Sequence, residues 1–432
     1  MSNKKKFGLG SLILLGINSI IGTGIFLLPG NAYALAGTSS LFVYLFVILL
    51  AGSLALCFAE AAGLFKSNGG AYVYVKEAFG NFAGFEVGFM KYIVQIIAWA
   101  TMAVGFVTAL SAVVPAAASG PLHNGLIIAI LGGLSLINYL GVDLVKYINN
   151  IATIGKLVPL VLFIVVGIFF IKGGNFKPLA PANFGITGFS AAAILIFYAF
   201  TGFEAIGTAA EDMENPKKNI PIAIAAAISI VAVIYIMVQV VSIGTLGPVL
   251  AKSATPVVDA MKTFMGGFGG TLVTVGTLIS IGGINIASSL YCPRGCMALA
   301  ERGMLPPVVA KKTKRNTPGV AILITAVLAI PVALSGSFVE LAAISTISRF
   351  TQYIPTCLAI LVFRKRGMKS TFTVPFGPVI PLVATAVSVW LLFNADTKKL
   401  LIGLGAMVVI VPVYFIMVAY NKKHGYEFKA AD

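Results

Sequence analysis

The sequence predicts an all-α polytopic membrane protein that crosses the bilayer twelve times, and three observations carry that prediction. Of the 432 residues, 59% are hydrophobic and 10% charged, with mean hydropathy +0.99; one water-soluble core cannot hide so much apolar surface. The apolar residues run in continuous stretches able to cross about 30 Å of hydrocarbon, whereas a transmembrane barrel needs short strands of alternating polarity. Lysine and arginine also segregate to alternate connections, as the positive-inside rule requires.

The apolar runs place helices at 9–36, 40–65, 84–114, 124–141, 147–172, 188–213, 219–246, 270–302, 319–335, 339–363, 374–394 and 400–420. The first run reaches full spanning length, so it reads as a membrane helix and not as a cleaved leader. With the N-terminus inside, 20 of the 30 basic residues fall on that side, six on the other and four within helices. Both termini are therefore expected in the cytoplasm, with the plasma membrane as the host bilayer. The formal charge of +16 is topological on this reading, and nucleic-acid binding is disfavoured because no aromatic-interleaved basic domain exists.

Helix 1 carries NSIIGTGIF, with Gly22 and Gly24 flanking Thr23 at mid-span. The glycines either interrupt the helix or merely admit close packing. The connection 66–80 holds the turn signal Asn68-Gly69-Gly70 ahead of AYVYVKEAFG, an interfacial segment that reads as a gate element or as a solvated connector. Helix 6, FYAFTGFEAIGTAAEDMENPKKNIP, breaks at Thr201-Gly202, restarts around Glu204 and leaves the bilayer where Pro216 and Pro221 stop it. A glycine costs a helix about 1 kcal/mol relative to alanine, and within lipid each freed N–H or C=O needs another partner.

Gly24 and Gly202 lie 178 residues apart, each in the first helix of a block of five, 1–172 and 188–364. Five crossings is an odd number, so any structural repeat is inverted. Interrupted helices in corresponding positions of inverted halves point to a transporter's binding site at the midplane. Residues 374–420 are left as two accessory helices, and 421–432 as a cytoplasmic tail.

Cys57, Cys292, Cys296 and Cys357 all fall within predicted helices and read as packing residues. His123 and His424 lie in an outer loop and the tail. No metal site, cofactor motif or carboxylate pair accompanies the breaks, so a membrane-embedded enzyme is disfavoured. A channel is disfavoured too, because it needs an open wetted path.

Four runs in order, IIGTGIF, FAEAAGLFKSNGGAYVYVKEAFG, GFEAIGTAAEDMENPKKNIP and RGCMALAERGMLPPVVAKKTKRNTP, make the first ten helices resemble the amino acid–polyamine–organocation superfamily of permeases. The resemblance implies the five-plus-five inverted repeat of the leucine-transporter type. It implies transport of an α-amino acid by alternating access, as a proton-coupled symporter or an exchanger; a polyamine or cationic amino acid antiporter is the nearest alternative. It also implies that 66–80 is an inner gate element and 247–268 an external lid.

A zwitterion between two half-helices meets N–H groups suited to its carboxylate and C=O groups suited to its ammonium. The expected donors are the Thr23 and Gly24 amides with the Thr23 hydroxyl, and the expected acceptors are the carbonyls of Ile20, Tyr198 and Thr201, with Gly202 giving the second break. The resemblance makes Tyr198 the aromatic that closes over substrate and puts Trp99 and Thr346 in the pocket; a slip of one residue would substitute Ala98 or Ala100 for Trp99. The charges left at membrane depth are Glu60, Lys91, Lys156, Glu204, Arg294 and Arg349, each costing about 2.5–3.5 kcal/mol on insertion scales. Lys91 and Arg294 are near enough to helix ends to snorkel. Glu204 and Arg349 pair as an inner gate or form a fixed ion pair, with Glu60 the rival partner. A neutral substrate is favoured over a cationic one because both acids have basic groups to pair with. Lys156 lies about 14 Å deep. By resemblance it is a tethered cation bonding carbonyls near Gly22 and Ser288 or Ser289; the alternatives are a structural staple of helices 1, 5 and 8, or a sodium site at the two serines. No motif bears on the oligomeric state.

Overall fold

The computed structural model of the protein describes residues 8–65, 70–141, 145–204 and 215–425. Every regular element among them is helical. Among the described residues six segments are long and apolar enough to cross a membrane, and five more apolar helices have 10–17 residues. The chain is a multi-pass membrane protein.

The first predicted helix is three segments, α1 (Leu9–Ile20), α2 (Thr23–Leu27) and α3 (Pro29–Ala36). Gly22, with φ −129° and ψ −146°, lies outside helical space, whereas Leu28 is helical, so α2 and α3 form one half-helix bent at Pro29. Then follow α4 (Ser40–Ala62), α5 (Ala71–Phe79), α6 (Asn81–Leu110), α7 (Gly120–Tyr139), α8 (Val145–Gly167) and α9 (Ile186–Phe200). The second half holds α10 (Pro216–Leu246), α11 (Pro256–Glu301), α12 (Gly319–Leu334), α13 (Phe338–Lys365), α14 (Val379–Phe393) and α15 (Thr397–His424).

Three boundaries differ from expectation for physical reasons. α11 begins at Pro256 and not near 270, and Gly266, at φ +60°, divides it into a short first helix and a long second one. Pro221 does not stop α10: Pro216 occupies its first turn and Pro221 lies one turn further in, where only the Lys217 carbonyl loses a donor. α8 ends at Gly167, five residues early, in a single 3₁₀ turn. The restart of helix 6 beyond Glu204, its charged exit, and the turn residues Asn68 and Gly69 lie outside the described residues.

α13 starts with a reciprocal cap, in which the Ser337 side chain accepts from the Glu340 N–H and the Glu340 carboxylate accepts from the Ser337 N–H. α15 starts on Asp396, whose carboxylate accepts from the Lys399 N–H at 3.0 Å.

Side-chain contacts gather the described helix ends into two groups. In one, the Thr317 hydroxyl donates to the Tyr139 carbonyl at 3.2 Å, Asn421 to Gly303 at 2.9 Å and Arg366 to Glu77 at 2.7 Å. In the other, Ser39 donates to Leu179 at 3.0 Å, Asn175 to Gly244 at 2.7 Å and Ser190 to Asn394 at 2.8 Å. The first group carries the basic connection Lys311–Arg315 and the basic end of α13.

Candidate functional site

The two breaks meet. A Cβ on Gly24 would lie 2.7 Å from the Ala199 Cβ, and one on Gly202 would lie 2.3 Å from the Ser19 carbonyl oxygen. Gly202 also holds φ +110°, a conformation open to glycine and costly for a β-branched residue. These two glycines therefore let α1, α2 and α9 cross with their broken ends side by side. Tyr235 of α10 ties the ends together, its hydroxyl lying 3.2 Å from the Ile20 carbonyl and 3.0 Å from that of Ala199.

Around the breaks is a cavity of about 310 Å³. Its walls are the end of α1, the start of α2, the end of α9, the Gly283–Ser288 stretch of α11, Met102, Lys156, Tyr291 and Arg349. Gly22 caps α2 with no side-chain hydrogen bond, so the first amides of that half-helix, Thr23 and Gly24, present donors that the helix itself cannot satisfy. On the acceptor side, the Tyr198 carbonyl already receives the Thr201 N–H at 3.2 Å and the Thr201 hydroxyl at 2.7 Å. Both of its lone pairs are occupied in this conformation, and the Ile20 carbonyl shares one with Tyr235.

The Tyr198 phenol stands 3.3 Å from the Thr23 hydroxyl, and its ring meets Phe338 edge-on at 5.9 Å. Gly105 of α6 faces both Thr23 and Phe338 closely. This packing forms the Tyr198 side of the cavity wall. On the side of Leu15, Ser19 and Arg349 it adjoins a larger cavity of about 690 Å³ that shares Leu15, Ser19, Gly202, Tyr291 and Arg349 with it. The larger cavity is lined by Lys91, Arg294, Arg302 and Glu204. Lys91 and Arg294 thus both border this cavity.

Arg349 of α13 forms an ion pair with Glu204. The Glu204 carboxylate also accepts from the Gly202 N–H at 3.0 Å and the Tyr353 hydroxyl at 3.2 Å. Glu60, the rival partner, is instead held by Arg364 at 2.7 and 2.5 Å and by the Val374 N–H at 2.6 Å.

Lys156 of α8 is 1% exposed, and its ammonium donates to the carbonyls of Asn18 at 2.7 Å and Ile21 at 2.9 Å. These are the last carbonyls of α1, which the break leaves without intrahelical donors. α8 reaches this position because it crosses α11 closely: a Cβ on Gly276 would sit 2.3 Å from the Pro159 Cγ.

Three expected site residues lie elsewhere. Trp99 is fully buried and absent from the cavity wall; the residues of α6 that line the two cavities are Gly88, Lys91, Tyr92, Val94, Gln95 and Met102, and neither Ala98 nor Ala100 is among them. Thr346 is buried with its hydroxyl donating to the Ala342 carbonyl of its own helix at 3.1 Å. Ser289 points away, donating to Ile286 at 2.7 Å and accepting from Asn138 of α7 at 2.8 Å, whereas Ser288 lines the cavity. Met102, Tyr235, Tyr291 and Tyr353 were not singled out from sequence. For the buried tyrosines, Tyr235 and Tyr353, the available signal was a mid-helix phenol that must find a hydrogen-bond partner.

The amino acid permease family model matches residues 7–419. The chain belongs to the amino acid permease family. This permease falls within the amino acid–polyamine–organocation superfamily. It is 33% identical over 451 aligned positions to an uncharacterized transporter of Mycobacterium tuberculosis, covering 96% of this chain and 93% of that protein. It is 32% identical to the serine/threonine exchanger of Bacillus subtilis (96% of this chain, 97% of that one) and 29% identical to the methylthioribose transporter of the same organism (96% and 92%).

Substituting Tyr198 by phenylalanine removes only the Thr23 contact, a hydrogen bond worth about 1 kcal/mol. We expect about five-fold weaker half-saturation of uptake at unchanged expression. Tyr198→Ala, which also removes the ring over the cavity, has the larger effect on substrate retention.

Proposed function

We propose that this permease moves a small neutral α-amino acid across the plasma membrane by alternating access, as a proton-coupled symporter or an exchanger. The observation that carries the reading is the paired breaks, which turn unsatisfied amides of α2 and the carbonyl ends of α1 and α9 toward one cavity. Its 310 Å³ stands at the small end of ligand pockets, about 300–1,000 Å³. Among the described residues its wall includes Lys156 and Arg349 and no carboxylate, which disfavours the polyamine or cationic amino acid alternative. The serine/threonine exchanger among the relatives agrees with a small neutral substrate, while the methylthioribose transporter makes the substrate class the point to test.

The reading places the chain in twelve spans, with 1–172 and 188–364 as inverted halves and both termini in the cytoplasm. It is supported by the interrupted first helix of each half and by the segregation of helix ends and basic connections. In that orientation the larger cavity is an inward vestibule, and the Glu204–Arg349 pair lies between vestibule and binding site as an inner gate. Charge removal at one partner only, Arg349→Gln or Glu204→Gln, strands a part-buried charge. We expect each to cut transport more than the double variant does; additive losses in the three variants contradict the gate pairing.

Purified protein in proteoliposomes, offered labelled neutral, acidic and cationic amino acids, polyamines and methylthioribose, tests the function. Uptake or exchange confined to neutral α-amino acids supports the reading. Preferred uptake of an amine, a dicarboxylic acid or methylthioribose overturns it.

A further inference from the structure

Away from the substrate path, α7 and α12 enclose a groove of about 610 Å³ on the outer face of the bundle. Its walls are apolar, with Leu136 58% and Leu323 65% exposed. Both helices carry further exposed apolar side chains along their length, Ile128 on α7 and Val327 and Leu328 on α12, so in a membrane this face meets acyl chains. At one end the groove is rimmed by Lys311 and Lys312, both exposed, and by Tyr139. An exposed tyrosine beside lysines at the end of a spanning helix marks the headgroup level.

The basic rim is built in place. Thr313 N–H donates to the Thr317 carbonyl at 2.8 Å, the two threonine hydroxyls lie 2.7 Å apart, and the Thr317 hydroxyl donates to the Tyr139 carbonyl at 3.2 Å. The connection is thereby fixed to the end of α7 with its lysines over the groove mouth. Among the described residues no aspartate or glutamate lines the groove.

We propose that this groove binds one anionic phospholipid, its phosphate on Lys311 and Lys312 and an acyl chain along Leu136, Leu323 and Ala326. Charge complementarity selects the occupant: a cationic rim above an apolar trough fits a negatively charged headgroup with a tail, and basic pockets between membrane helices bind such headgroups. A zwitterionic lipid gains nothing net from the two ammonium groups, and a free anion gains nothing from the trough.

The test is native mass spectrometry of the purified full-length permease titrated with phosphatidylglycerol or phosphatidylcholine. We expect a single phosphatidylglycerol adduct in preference to phosphatidylcholine. The Lys311→Gln/Lys312→Gln variant should weaken it about twenty-five-fold, at about five-fold per basic group. Ala326→Trp, which fills the trough and leaves the lysines, should weaken it too, while Lys398→Gln/Lys399→Gln, in the first turn of α15, should leave it unchanged. Equal binding of the two lipids overturns the proposal, as does wild-type phosphatidylglycerol binding by both groove variants. Displacement of the lipid by millimolar inorganic phosphate would identify a free-anion site and overturns it as well.

Discussion

Gly202→Val is expected to abolish substrate accumulation while the protein still inserts in the membrane at wild-type level. The cause is local. A Cβ at this position would lie 2.3 Å from the Ser19 oxygen, far inside contact distance, and valine does not tolerate φ +110°. The α9 end must then withdraw from α1, and displacement of a binding group by about 1 Å is enough for a loss on the order of 100-fold. Gly24→Val acts from the other side by forcing α2 off Ala199. Surface labelling and size-exclusion profiles check folding, and labelled substrate uptake checks function. Normal affinity in either properly folded variant would remove the breaks from the binding site.

Lys156→Ala is the second large effect, with transport slowed at least about ten-fold and folding retained. The ammonium now satisfies the Asn18 and Ile21 carbonyls at 2.7 and 2.9 Å, and hydrogen bonds to charged groups are each worth about 1.5–3 kcal/mol. Alanine leaves both carbonyls unpaired at the break and removes the positive charge that we propose couples closure of α1 to substrate. On that proposal the Lys156 ammonium stands in for a mobile cation, so uptake should not require sodium. Strict sodium dependence, or an alanine variant with unchanged turnover, contradicts that role. Reduced yield with unchanged turnover of the surviving protein assigns Lys156 to stapling helices instead.

Much of this arrangement was legible in the sequence because its causes are local or compositional. Apolar run length reports spans, and two glycine-interrupted runs report breaks, since a β-branched residue beside glycine disfavours continued helix. The depth of Lys156 also follows from counting along α8. What a single strand of text does not carry is the rotation of one helix against its neighbours. Trp99 packs in the core and lines neither cavity, because each residue turns about 100° around α6 and the text does not fix that rotation. Ser288 and Ser289 divided in the same way. The choice between Glu60 and Glu204 as partner of Arg349 was open for a related reason. It depends on Arg364 and the Val374 N–H, which reach Glu60 only through the tertiary fold. The bend at Gly266 was missed because the glycines around it read as a loop, whereas the short first helix beginning at Pro256 packs on the bundle before the chain turns.

The most direct test of the central claim, that a zwitterion is held between the two breaks, is competitive counterflow in proteoliposomes loaded with the preferred amino acid. Two analogues compete: the corresponding amine, which lacks the carboxylate that the Thr23 and Gly24 amides would bind, and the corresponding acid, which lacks the ammonium. We predict that the parent amino acid halves labelled uptake at a concentration where neither analogue has any effect. Inhibition by the amine or the acid equal to that of the parent would contradict recognition by the broken helices.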